Sequence, residues 1–87
     1  MATIKVLRKD GKLVCDRTST PAKRGELIHW QPMGVGNDVV FSFEGKSPFT
    51  DSDRTTFPIT EDQTISLTAE NGKYKFKHIE GDIEIKD

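Results

Sequence analysis

The sequence predicts an all-β protein, specifically a small antiparallel Greek-key β-sandwich of about seven strands. Apolar and polar residues alternate over short segments, and no long 3.6-residue period typical of a helix occurs. Turn residues separate these segments at intervals of roughly ten residues. One longer polar stretch, residues 16–25, is expected to be a loop that crosses between the two sheets. The 87 residues fit one domain, residues 1–87.

The first two strands are predicted to form a hairpin. Residues 3–8 alternate between apolar and polar side chains, as in a strand with one buried face. Asp10-Gly11 predicts a tight turn, because this dipeptide adopts the left-handed backbone that two-residue turns require. Residues 13–15 then form a short second strand.

The third strand, residues 26–31, is predicted to bury Ile28 and Trp30, since the tryptophan side chain has the most apolar surface to remove from water. The fourth strand follows a glycine-containing loop. Its inner face is expected to carry Val39, Phe41 and Phe43.

Two further segments precede the C-terminal hairpin. A short edge strand is expected around Pro58, because proline lacks the N–H that an interior strand donates. Ile65 and Leu67 are predicted to form the inner face of the next strand, and Asn71-Gly72 to be the two-residue turn that follows it.

The C-terminal hairpin, residues 73–86, has the clearest alternation. The residues expected to face inward are Tyr74, Phe76, His78, Ile83 and Ile85. Those expected to face outward are Lys73, Lys75, Lys77, Asp82, Glu84 and Lys86.

Composition narrows the function classes. The chain carries 13 basic and 14 acidic residues, a formal net charge of −1, and we therefore expect no nucleic-acid or membrane partner. No apolar run approaches the roughly 20 residues that cross a bilayer. Cys15 is the only cysteine and the N-terminus enters a strand directly, which together predict a cytoplasmic protein. Had a leader been removed, the compartment would instead be the periplasm.

Three segments resemble the cupredoxins, the family of the blue-copper proteins. Residues 25–30, Gly-Glu-Leu-Ile-His-Trp, resemble the start of the third cupredoxin strand, Gly-Asp-x-Val-x-Trp. Residues 72–76 resemble the Gly-x-Tyr-x-Phe strand, and residues 81–85 the closing Gly-x-Ile-x-Val. They cover 16 of the 87 residues, in the family's order. The resemblance implies a cupredoxin-like sandwich.

The family's copper ligands do not carry over. The resemblance places the ligand loop between Phe76 and Gly81, where too few residues remain to present Cys, His and Met to one metal. The region expected to hold the first family histidine, residues 36–39, contains none. We therefore expect a metal-free domain without a cofactor and without the electron-transfer activity of the family.

The function predicted from the sequence is that of a non-enzymatic binding or structural module with an unidentified protein partner. Its candidate contacts are Met33, Val35 and Phe49, because apolar residues in loops are useful when a partner covers them. Phe49 is alternatively expected to tuck under its own loop.

Two other functions remain open at this point. One is an atypical copper or electron-transfer site that uses His29, Met33 and His78, since imidazole and thioether groups suit copper. The other is a small enzyme. Cys15 is predicted to be a small core residue, because a reactive thiol needs a neighbouring cation, metal or helix N-terminus.

Overall fold

The computed structural model describes residues 1–51 and 53–86, and these contain strands, turns and irregular segments without any helix. The all-β prediction is therefore confirmed, with eight strands in place of about seven. The strands are β1 Ala2–Lys9, β2 Lys12–Ala22, β3 Leu27–Met33, β4 Val40–Phe43, β5 Phe57–Pro58, β6 Gln63–Thr64, β7 Gly72–Lys77 and β8 Glu80–Ile85.

The strands form one curled sheet in the order β5-β4-β7-β8-β2-β1-β3-β6. The sheet is mixed, because β1 runs parallel to β3 and β2 runs parallel to β8. The prediction of a purely antiparallel sheet is therefore wrong. Alternation along a strand reports which face is buried, but it does not encode the direction of the strand that pairs with it.

The second strand is much longer than predicted. β2 extends to Ala22, so the expected loop over residues 16–25 is largely strand. The strand pairs with β1 as far as Cys15, shifts register between Val14 and Ser19, and then pairs with β8. The crossing that the sequence suggested therefore occurs inside a strand, through an irregularity in its pairing.

The two ends of the curled sheet face each other across an aromatic core. Trp30 lies 4.1 Å from Phe41 and 5.4 Å from Phe76, measured between ring centroids. Phe41 also stacks on Phe57 at 5.4 Å. The predicted inward facing of Ile28 and Trp30 is confirmed, since their exposed fractions are 0% and 3%.

The region after the fourth strand differs most from the prediction. Leu67 is 76% exposed, so its placement on an inner face is wrong, whereas Ile65 is fully buried. Asn71-Gly72 is not a hairpin turn, because β6 pairs with β3 and Gly72 is the first residue of β7. The edge position of Pro58 is confirmed, since β5 is the first strand of the sheet.

The hairpins predicted at the N-terminal end of the chain and over residues 73–86 are both present. Asp10 and Gly11 have φ angles of 52° and 78°, the left-handed pair that a two-residue turn between β1 and β2 requires. In the turn between β7 and β8, His78 has a φ of 67°. His78 is exposed there and does not share the inner face with Phe76.

Asp82 also differs from its predicted environment. It stands opposite the exposed Lys75, but it is only 7% exposed. Its carboxylate accepts a hydrogen bond from the hydroxyl of Ser19 on β2, which partly compensates for its burial. Across residues 1–51 and 53–86, no helix has the length and apolar character needed to traverse a bilayer.

Candidate functional site

The outer surface of β1, β2 and β3 carries three neighbouring apolar side chains. Leu7 stands in register with Met33 on one side and with Val14 on the other. Their chain neighbours Val6 and Cys15 are buried on the inner face, so the three side chains lie outside. We refer to Met33, Leu7 and Val14 as the apolar row.

The apolar row is open to solvent. Met33 is a large apolar residue and is 46% exposed. Leu7 and Val14 are half-buried, and neither packs against the buried core. The row therefore forms a continuous apolar strip across three strands, and core packing does not account for it.

The other predicted contact residues occupy different environments. Met33 ends β3 and so lies in a strand, not in a loop. Val35 is half-buried and packs against the core. Phe49 is 1% exposed, with its ring 5.1 Å from that of Phe57, so its prediction as a partner contact is wrong and its alternative placement under its own loop is correct.

Lysines flank the apolar row on both sides. Lys5 lies two residues before Leu7 on β1, and Lys9 lies two residues after it. Lys9 stands directly opposite Lys12 of β2, and all three lysines are exposed. In the part of the chain that the structure describes, none of them takes part in an ion pair. We refer to Lys5, Lys9 and Lys12 as the lysine fringe.

Nearby acidic groups neutralise this charge only in part. An Asp16 oxygen accepts the backbone N–H of Lys5 at 3.3 Å, and Glu80 stands in register with Val14. Asp10 lies in the turn. Residues 1–17 nevertheless contain five basic and two acidic residues, although the whole chain has one more acid than base. The positive charge is thus concentrated on the β1–β2 hairpin.

A groove of about 790 Å³ lies between the β1–β2 and β7–β8 hairpins, beside Val14. Its apolar lining comes from Leu13, Cys15, Phe76 and Ile79. Its exposed polar lining comes from the charged residues Lys12, Glu44, Lys75 and Glu80 and from the imidazole of His78. The groove therefore combines an apolar base with charged groups of both signs.

Cys15 lies at this groove as a buried thiol. Burial, followed by the negative charges of Asp16 and Asp82, raises its pKa from 9.0 to about 12. At neutral pH the group is thus the protonated thiol, which is a weak nucleophile. This matches its predicted role as a core residue.

The residues considered for copper are not brought together. His29 Nδ1 lies 2.8 Å from an Asp62 oxygen, which orients the ring at the surface. Met33 follows four residues later on the same strand, about 13 Å away at strand spacing. His78 lies in the turn before β8, three strands from β3 in the sheet. Within residues 1–51 and 53–86, no group of three or more His, Cys, Asp or Glu side chains could hold a metal ion.

No protein-family model matches this sequence, and no curated protein is similar enough to count as a relative. The fold and the surface therefore carry the functional argument.

Sequence reasoning missed Leu7 and Val14, but a signal for them exists. Val6-Leu7 and Leu13-Val14-Cys15 interrupt the alternation that their strands otherwise follow. In a strand, two adjacent apolar residues place apolar surface on both faces of the sheet. That interruption, together with the concentration of basic residues before position 18, could have indicated the outer surface.

Proposed function

We propose that this protein is a non-catalytic binding module that recognises another protein through the apolar row. The observation that carries the proposal is the exposure of Met33 in register with Leu7 and Val14. An apolar centre with a charged rim is the usual anatomy of a protein interface. Exposed apolar surface of this kind is costly in water and becomes favourable once a partner covers it.

Two features support a function without catalysis. The thiol of Cys15 stays protonated, so it lacks the thiolate that a cysteine nucleophile uses. His29 forms a hydrogen bond with the carboxylate of Asp62 at the surface. A histidine that acts as a catalytic base would instead contact a nucleophile such as a serine or cysteine. The proposed compartment is the cytoplasm, which suits a chain with one unpaired cysteine.

The finer architecture is part of the same proposal: a cupredoxin-like Greek-key sandwich without a metal centre. The aromatic residues that carry the resemblance support it, because Trp30 and Phe76 meet in the core at 5.4 Å. The passage of β2 from β1 to β8 also supports it, since one strand then contributes to both facing halves. An experimental structure that closes the sheet differently would contradict this architecture.

The binding proposal can be tested by affinity capture from the source cell. The immobilised protein is compared with the double variant Leu7→Ser and Met33→Ser. The matched control is Leu67→Ser, because Leu67 is also an exposed apolar residue, at 76%, but lies outside the apolar row. Thermal unfolding is measured for each variant to verify that it is folded.

We expect a captured protein that is retained by Leu67→Ser and lost with the double variant. A partner that both variants retain equally would place the interface elsewhere. A second measurement checks the same interface. Titration with the purified partner should shift the backbone amide resonances of β1 and β3.

The groove favours a second candidate function, the binding of a small apolar molecule. Its volume of about 790 Å³ falls in the range of ligand pockets, and its apolar lining with a few charged groups fits such a ligand. The fluorescent dye ANS is a suitable probe. Thr18→Trp, at the edge of the groove, should reduce dye binding by filling space, and Leu67→Trp serves as the control. Equal dye binding by both variants would exclude the groove as the site.

A further inference from the structure

The apolar row has a defined length. It crosses three adjacent strands, and two strand spacings of about 4.8 Å give roughly 10 Å from Met33 to Val14. In an α-helix, residues i, i+4 and i+7 lie on one side and span about 10.5 Å along the axis. Three apolar residues at this helical spacing would therefore each meet one residue of the row.

The lysine fringe sets the width of the same site. Lys5 and Lys9 are four residues apart on β1, which corresponds to about 13 Å along the strand. The row passes between them. A helix with side chains is about 10–12 Å in diameter, so it fits between the two lysines when it lies across the strands.

Charge identifies the chemistry of the flanks. Lys9 and Lys12 stand directly opposite each other, and such like-charge pairs are unfavourable in a sheet. An acidic side chain placed beside them relieves this repulsion. Lys5, on the other side of the row, offers a second cation to the same occupant.

Resting on the proposed function, we infer that the partner presents a short acidic amphipathic α-helix, which lies across β1, β2 and β3. Its apolar residues at i, i+4 and i+7 cover Met33, Leu7 and Val14, and its flanking carboxylates face the lysine fringe. This is the helix-in-groove mode of recognition, with the sheet surface in place of a groove.

An added strand fits the site less well. β6 already pairs with β3 at Leu27 and Ile28, and Pro32 supplies no N–H to a strand that would pair beside it. An anionic membrane also fits less well, because Asp16 and Glu80 lie beside the row. A helix can place its charges selectively, whereas a lipid surface cannot.

A designed peptide tests the inference with the full chain. The probe is a helical peptide with leucines at i, i+4 and i+7 and glutamates on both flanks. One control peptide has the same composition with the leucines distributed around the helix, and another has lysine in place of glutamate. Binding is followed by amide chemical shifts of the isotope-labelled protein at low and high salt.

We expect the acidic amphipathic peptide to bind and to shift the amides of Leu7, Val14 and Met33. Charge reversal of the fringe by Lys5→Glu, Lys9→Glu and Lys12→Glu should weaken binding about tenfold or more, and high salt should weaken it as well. The matched control reverses Lys23, Lys46 and Lys86, three exposed lysines that lie outside the apolar row and the groove, and should leave the affinity unchanged.

Three results would overturn the inference: equal binding of the control peptides, no binding of the acidic peptide, or fringe-dependent binding to phosphatidylserine vesicles in its place. Failure of the peptide while capture from the cell still depends on Leu7 and Met33 would leave the proposed function standing. If the peptide fails to bind and capture from the cell does not depend on Leu7 and Met33, both proposals are contradicted.

Discussion

The two tight hairpins of this protein, β1–β2 and β7–β8, share a core but differ in their outer faces. On β7–β8, Lys73 stands opposite Glu84 and Lys75 opposite Asp82, so each lysine has an acidic neighbour across the strands. On β1–β2, Leu7 stands opposite Val14, and Lys9 opposite Lys12. The outer face of one hairpin is balanced, whereas the other pairs apolar groups and like charges.

The difference indicates that contact with water alone does not explain which residues occupy the outer face of the β1–β2 hairpin. Opposite charges across strands contribute about 0.2–1 kcal/mol each, and like charges cost a similar amount. A hairpin that only faced water would be more stable with the β7–β8 arrangement. Under the proposed function, another molecule covers the apolar row and neutralises the lysine fringe, which would offset this cost.

The largest effect should come from the core that both hairpins share. Trp30→Ala should lower the free energy of unfolding by about 3–5 kcal/mol, because it leaves a large cavity beside Phe41 and Phe76. Chemical denaturation measures this change. Met33→Ala, on the outer side of the same strand, is the control and should cost far less. An unchanged midpoint for Trp30→Ala would mean that the two faces are assigned in reverse.

The next largest effect on stability should come from the close contact between the two hairpins. Gly81 has a φ of 147°, and a Cβ there would lie 2.7 Å from Cys15 Sγ. Gly81→Ala should therefore destabilise the protein by about 2–4 kcal/mol through strain and overlap.

Gly72→Ala separates these two causes. Gly72 has a similar φ of 144°, but nothing lies within 4 Å of its added Cβ. The stability lost in Gly72→Ala therefore measures backbone strain alone. Adding Cys15→Ala should recover part of the lost stability in Gly81→Ala but none of it in Gly72→Ala. Equal losses at both glycines would show that β2 and β8 are not in close contact.

Per pH unit, a smaller effect is expected from the titration of the Cys15 thiol. The pKa of Cys15 is raised to about 12 in the folded protein, so the unfolded chain releases this proton first, from about pH 9.0 upward. The stabilising contribution is complete below pH 9.0 and is lost as pH rises toward 12, by up to about 1.4 kcal/mol per pH unit.

The measurement compares wild type with Cys15→Ala, because the titration of lysine and tyrosine then cancels in the difference. We expect the difference in unfolding free energy to be constant at neutral pH and to shrink from pH 9.0 upward. A constant difference over the whole range would mean that the thiol is accessible to water.

The smallest effects on stability are expected from charge changes on the outer faces of the two hairpins. Lys12→Glu converts the Lys9–Lys12 pair into an opposite-charge pair and should stabilise the free protein by about 0.2–1 kcal/mol. The corresponding change on β7–β8, Glu84→Lys, creates a like-charge pair with Lys73 and should destabilise it by a similar amount. Thermal unfolding at low salt detects both. Shifts of the same sign would remove the contrast between the hairpins.

The strands and the residues on their inner faces depend mainly on local interactions, and these features could be predicted from the sequence. The alternation in residues 3–8, 26–31 and 73–86 gave the strands and the inner positions of Ile28 and Trp30. Glycine and asparagine-type turn signals were less decisive, because Asp10-Gly11 is a turn and Asn71-Gly72 is not. The difference depends on which strand pairs with which, and residues distant in the chain determine that.

The polar part of β2 and the candidate site were hidden for the same reason. Residues 16–22 contain serine, threonine and proline, which resemble a loop until β8 is known to pair with them. Leu7, Val14 and Met33 become neighbours only through the register of β1 with β2 and β3. For Phe49 the sequence left two placements open, a partner contact or a position under its own loop, and the ring of Phe57 beside it decides between them.

The passage of β2 from β1 to β8 has a consequence for folding during synthesis. Ser19 pairs with Asp82, which the ribosome adds 63 residues later. The β1–β2 hairpin can form soon after it leaves the exit tunnel, but the second half of β2 then has no partner strand. Until β8 emerges, that unpaired edge and the apolar side chains beneath it remain open to other chains. The sheet is therefore complete only after β8 has emerged from the ribosome, and a chaperone that covers β2 until then would protect the nascent chain from aggregation.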